Sequence, residues 1–179
     1  MMGRVQVCIK VFFSFLFFGL YLSSVYSLNL NTGSFVCNGF IPEKYTCDGL
    51  NYSPSLNWGD VPDGTKSFLI ICNDPDAPSG NWTHWTIFNI PNVIRVLDEA
   101  FNSFMPMSEG INDFMNIGYD GPCPPRDGGV HRYFFKIYAL DTQLSLTSGA
   151  TELDIINAID GHVLDEAEIM GKYERRRYD

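Results

Sequence analysis

Long apolar runs, histidine and basic charge are all scarce in this sequence, and each scarcity removes a class of function. The 179 residues hold three histidines, His84, His131 and His162. No His-x-x-x-His, Gly-x-Ser-x-Gly or Cys-x-x-Cys occurs, so the short signatures of zincins, serine hydrolases and zinc ribbons are missing. Twelve Lys and Arg stand against 21 Asp and Glu. A field of that sign repels nucleic acid and acidic membrane surfaces. The one basic cluster, KYERRRYD at the C-terminus, reads as a solvated tail. Repeats, low-complexity tracts and long linkers are absent as well.

The longest apolar run, VFFSFLFFGLYL at 11–22, is shorter than the roughly 20 residues a spanning helix needs. Arg4 and Lys10 precede it and the small-residue stretch SSVYS follows. A basic start, a short apolar centre and small residues at its end predict a secretory signal peptide over 1–27. The expected mature domain is 28–179, 152 residues in one unit with no stable membrane insertion. Removing Arg4 and Lys10 leaves 10 basic against 21 acidic residues, a net charge near −11. The expected location is periplasmic or secreted. Export leaves Cys37, Cys47, Cys72 and Cys123, an even count that suggests disulfides with three alternative pairings. Asn51-Tyr-Ser and Asn81-Trp-Thr match glycosylation sequons.

Short apolar runs broken by Gly, Pro, Asn and Asp read as mainly β. The expected strands are SFLIICND (67–74), HWTIFNI (84–90) and HRYFFKIYAL (131–140). Residues 28–60 read as loops and short edge strands. Residues 92–118 are ambiguous, with helical spacing in VIRVLDEAF. Thr151 with Asp154 predicts a capping box opening a helix in TELDIINAI. A second helix is expected after Gly161, with Val163, Ala167 and Met170 on one face.

Side chains two apart share a strand face. Phe68, Ile70, Cys72 and Asp74 form one such set. His84, Thr86, Phe88 and Ile90 form a second, and His131, Tyr133, Phe135 and Ile137 a third. Each is apolar with polar chemistry at one end. If the three strands are neighbours, Asp74, His84, His131 and Tyr133 gather at one end of the core, a concave site with few convergent polar groups. Prolines at 75, 78, 124 and 125 place rigid loops around it.

DPDAP, then HW heading a strand, then GPCPP…HRYFF together resemble the phosphatidylethanolamine-binding protein (PEBP) family. IPEKYTCDGLNYSPSLNW and AEIMGKYER resemble its bacterial Raf-kinase-inhibitor-like (YbhB/YbcL) branch, and the match runs from Phe35 to Arg175. The resemblance implies an antiparallel β-sandwich with short C-terminal helices. It also implies a small pocket for phosphate-like anions or phospholipid head groups. By motif, the ligand-binding residues are Asp74, Asp76, His84, Gly121, Pro122, His131 and Tyr133, with Tyr173 nearby. In that pocket imidazole N–H groups meet phosphate oxygens, and Asp74 and Asp76 orient histidines or accept an amine. A Cys47–Cys123 disulfide is implied too, leaving Cys37 and Cys72 either paired or, at Cys72, a buried thiol. The family includes inhibitors of kinases and proteases, so a protein partner belongs to the expectation. No catalytic residue, metal or cofactor does. The alternative is a metal-assisted phosphoesterase, in which Asp-x-Asp and two histidines hold a cation that activates water.

Overall fold

Three runs rich in Ile, Phe, Trp and Tyr build the centre of this fold, because such side chains fill both faces of a buried pleated sheet. The structure, a computed structural model, describes residues 27–102 and 106–175. The predicted leader, apart from Ser27, lies outside them. In chain order the elements are β1 (Asn29–Asn31), a 3₁₀ turn (Glu43–Tyr45), β2 (Leu56–Gly59), β3 (Ser67–Asp74), β4 (Trp82–Pro91), β5 (Val96–Leu97), β6 (Ser108–Glu109), β7 (His131–Leu140), α1 (Glu152–Ile159) and β8 (Val163–Tyr173). The expected first and third strands match β3 and β7 residue for residue, and β4 extends the second at both ends.

Two antiparallel sheets form. The larger runs β6-β4-β3-β7-β8 and the smaller β1-β2-β5. Between them Leu30, Leu56 and Trp58 of the small sheet pack with Phe68, Ile70, Trp85, Ile87, Phe135 and Ile137 of the large one. Full burial of each such side chain contributes about 1.5–3 kcal/mol. The opposite face of the large sheet, carrying Leu69, Ile71 and Phe88, is covered by Ile155 and Ile159 of α1. The helix opens as its sequence requires, with Thr151 and Asp154 exchanging both capping-box hydrogen bonds.

Three expectations are corrected. No helix follows Gly161: residues 163–173 are strand β8, paired with β7 from His131↔Tyr173 to Leu140↔Val163. Val163, Ala167 and Met170 fit a helical stripe, but Ile169, Gly171 and Tyr173 are buried at a period of two. The open edge of β7 satisfies the backbone of all that length, whereas a lone short helix gains no such partner. VIRVLDEAF contains the two-residue strand β5 instead of a helix, because Leu56 and Asn57 of β2 pair with Leu97 and Val96.

The third correction concerns β4, which carries two irregularities in its pairing with β3. Ile90 faces Phe68 but Ile87 faces Ile70, so β4 has an extra residue near Asn89, whose φ is +56°. Trp85 faces Cys72 but Thr83 faces Asn73, which leaves His84 as the extra residue of a second bulge. The inward face of β4 is therefore Trp85, Ile87 and Ile90, not Thr86, Phe88 and Ile90. His84 reaches that face only because of its bulge.

Candidate functional site

β3 and β7 run antiparallel as neighbours, so the C-terminal end of one meets the N-terminal start of the other. That brings Asp74 and His131 together. His131 Nδ1–H donates to Asp74 Oδ2 at 2.7 Å. The second oxygen of Asp74 accepts the backbone N–H of Asp76 at 2.8 Å, turning the chain into the DPDAP loop. His131 and Asp74 are 3 % and 2 % exposed. Gly128 leaves room beside the other ring nitrogen of His131, since a Cβ there would lie 3.0 Å from Nε2.

The bulge in β4 carries His84 to the same place. Its ring meets Tyr133 edge-on at 5.2 Å between centroids. His84 Nδ1–H donates to the Asp120 carbonyl at 2.6 Å, and the imidazole is 2 % exposed. Burial holds its pKa below the ordinary histidine value, against the pull of the Asp120 and Gly121 carbonyls and the Asp74 charge. Tyr133 is fully buried, and its hydroxyl has no well-formed hydrogen bond among the described residues. Burial, then the neighbouring Asp74 carboxylate, pushes the pKa of that hydroxyl up. The nearest acceptor is the Asp74 carboxylate, close enough to act on the hydroxyl but outside good hydrogen-bond geometry, so this buried donor is only weakly satisfied.

Asp76 stands apart. Its carboxylate accepts Arg132 Nε and Nη2 at 2.8 and 2.6 Å and the Arg132 backbone N–H at 3.0 Å. Arg132 accordingly holds the Asp76 carboxyl below the usual carboxylate range. The guanidinium engages both carboxylate oxygens of Asp76. Its work is to fix the start of β7 beside the DPDAP loop. An open groove of about 620 Å³ touches this outer side, lined by Phe40, Asp76, Val130, His131, Arg132 and Lys172. His131 lines this groove and joins it to the Asp74–His131–His84–Tyr133 cluster.

Gly121 and Pro122 form the rim. A Cβ on Gly121 would lie 2.1 Å from the Tyr45 carbonyl oxygen and 2.9 Å from Thr46 Cα, so the two backbones touch. Gly121 N–H donates to Asn51 Oδ1 at 2.7 Å and Cys47 N–H to the Pro122 carbonyl at 3.2 Å. The Cys47–Cys123 disulfide ties the same strap. Cys72 is a free, fully buried thiol, so it is not paired with Cys37. Asn51, noted in the sequence only as a sequon, spends its amide here: Nδ2 donates to Asp120 and Oδ1 accepts from Gly121.

Tyr173 lies across β7–β8 from His131, and its hydroxyl donates to Asp48 at 2.8 Å. Arg175 also bonds Asp48 through Nε and Nη2, so the first arginine of the basic tail is an anchor and not a solvated charge. Sequence reasoning missed three further neighbours: Trp82, Phe114 and Asp120. The Phe114 ring stands edge-on to Trp82 at 5.4 Å and to His84 at 5.3 Å. The INDFMNIG run has Asn and Asp bracketing one aromatic, a turn signal that marks Phe114 as an exposed tip. Among the described residues no three His, Cys, Asp or Glu are arranged to hold a metal ion.

A family model described as phosphatidylethanolamine-binding protein matches residues 31–174. The UPF0098 protein of Methanothermobacter thermautotrophicus is 51 % identical over 152 residues, 83 % of this chain and 99 % of that protein. That of Aquifex aeolicus is 44 % identical over 179 residues, 98 % of this chain and 99 % of that protein. Among solved structures, the PEBP homologue CT736 of Chlamydia trachomatis superposes with a TM-score of 0.78 at 39 % identity, covering 84 % of this chain and 99 % of that one. YbcL of E. coli, described as a member of the mammalian PEBP family, gives 0.79 at 31 % identity with the same coverage.

Proposed function

The chain belongs to the phosphatidylethanolamine-binding protein family, and from that premise we propose that it is an exported, non-enzymatic binding protein for phosphate-bearing head groups. One observation carries the reading. The buried Asp74–His131 pair, the His84 imidazole and the Tyr133 hydroxyl, which makes no well-formed hydrogen bond among the described residues, converge at one end of the core. An oxyanion supplies what this group lacks. It accepts from the Tyr133 hydroxyl and, by drawing a proton onto each ring, from the Nε2–H of the imidazolium forms of His84 and His131, whose Nδ1–H groups are already spent on Asp120 and Asp74. Asp74 keeps His131 oriented by holding its Nδ1 proton, which leaves Nε2 to face the ligand. The apolar leader expected from the sequence and the Cys47–Cys123 bond support export. No described helix is long and apolar enough to cross a membrane.

Titration calorimetry with phosphorylethanolamine and inorganic phosphate tests the reading on wild type, His84→Ala and His131→Ala. Each substitution should weaken binding by roughly 1.5–3 kcal/mol, the worth of a charge-assisted hydrogen bond. Equal affinity in all three proteins would remove the pocket from consideration. Measuring inorganic phosphate release in the same samples separates binding from hydrolysis, and none is expected above the blank.

A further inference from the structure

On the His84 side of the polar cluster, an exposed aromatic side chain packs against the imidazole. Phe114 is 38 % exposed, yet its ring stands edge-on to both His84 and Trp82. Two buried donors lie on the neighbouring rings, Trp82 Nε1–H on the ring that Phe114 meets and the Tyr133 hydroxyl on the ring that meets His84, and neither makes a well-formed hydrogen bond among the described residues. We propose that Phe114 is the gate and size-selecting residue of this pocket: its ring must swing away before a ligand reaches His84. This rests on the binding reading above.

The turn that carries Phe114 is held too firmly to serve as the moving part. Asn112 Oδ1 accepts the N–H groups of Phe114 and Asn116 at 2.9 and 3.1 Å, and Asn112 Nδ2 donates to Gly118 and Asp120. Asp113 grips β4 twice, its N–H donating to the Thr83 carbonyl and its carboxylate accepting Thr83 N–H. Asp120 in turn holds the His84 ring through its carbonyl. The base of the turn and the imidazole therefore move as one unit, and opening falls to the side-chain torsions of Phe114. Such rotations of exposed side chains take picoseconds to nanoseconds. The gate therefore acts on which ligands fit rather than on how fast they arrive. A compact phosphomonoester needs only a brief opening. A head group still carrying its glycerol keeps the ring displaced for as long as it is bound, and forfeits both edge-on contacts.

The test uses the purified chain as wild type, Phe114→Ala and Phe114→Tyr. Diethyl pyrocarbonate acylates accessible neutral imidazoles, and peptide mapping reports each of the three histidines separately. His162, about half exposed, is the internal reference. In Phe114→Ala the rate at His84 should rise at least about tenfold, since two edge-on aromatic contacts of roughly 0.5–1.5 kcal/mol each are lost. The rate at His162 should stay constant, and Phe114→Tyr should behave as wild type. An unchanged rate at His84 in Phe114→Ala would overturn the gate. In calorimetry, Phe114→Ala should gain about tenfold for glycerophosphoethanolamine relative to phosphorylethanolamine, and a constant ratio would overturn the size selection. If neither compound binds any of the proteins, the binding reading and the size selection fall together. The acylation rates still decide whether Phe114 shields His84.

Discussion

Replacing Cys47 and Cys123 together by alanine should weaken the fold while leaving the site assembled. The bond spans 76 residues of sequence. In the chain-entropy treatment, closing a loop of that size removes roughly 15 cal/mol/K from the unfolded ensemble, or about 4.5 kcal/mol at 25 °C. The native side should change little, because three other contacts hold the strap. Cys47 N–H reaches the Pro122 carbonyl, Gly121 N–H reaches Asn51, and the Tyr119 hydroxyl reaches the Tyr45 carbonyl at 2.8 Å. The expected loss lies between about 2 and 4.5 kcal/mol. That is a large part of the ~5–15 kcal/mol that holds a domain together. Urea unfolding followed by tryptophan fluorescence measures it. The double variant serves better than reduced wild type, since thiols freed by a reductant can exchange or re-form the bond during the measurement. Freed of the cross-link, the unfolded chain expands and the denaturant slope should rise. A loss under about 1 kcal/mol with an unchanged slope would refute the entropic account. A variant that keeps its stability but loses phosphorylethanolamine binding would show that the bond acts on rim geometry instead.

Three further outcomes follow from buried titratable groups. His84 has a lowered pKa in the folded state, so the unfolded chain binds its proton more readily. Its contribution to stability is then fully present above the ordinary value of 6.5 and declines as pH falls below it. His84→Gln should flatten the fall in urea midpoint between about pH 7 and 5.5, and a slope identical to wild type would contradict this. Anion binding should carry the opposite dependence. A phosphate beside His84 favours imidazolium, so affinity should tighten as pH drops from about 7.5 to 6 with uptake of a proton, read as a buffer-dependent enthalpy. Burial pushes the Cys72 thiol well above its usual pKa. That thiol should ignore a colorimetric disulfide reagent in the native protein and react promptly in urea. Rapid labelling of native protein at Cys72 would show the core to be more open than its packing implies.

The sequence by itself determined the central strands and set Asp74, His131 and Tyr133 at their polar ends, while the pairing of β3 with β7 gathered them. Period-two alternation is a local property, and β3 and β7 obey it without interruption, so their inward faces and polar ends follow from spacing alone. The cap of α1 was equally local, two residues bonding each other three apart. The motifs around DPDAP, GPCPP and HRYFF pointed to the Cys47–Cys123 bond through family resemblance, a pairing that no local spacing selects. What only the tertiary structure decided is long-range or irregular. His84 joins the site through a β-bulge, where one extra residue flips a strand's alternation and leaves no mark in composition. β8 is a strand because β7 offers it an edge, and residues 163–173 carry both a helical and an alternating pattern until that edge is present. Asp76 looked like a pocket ligand beside Asp74, yet Arg132, placed 56 residues away in sequence, claims its carboxylate. Phe114 and Asn51 entered the site from turns far along the chain. A loop side chain has no period to betray its direction, and its partners are set by how the sheets bring distant turns together.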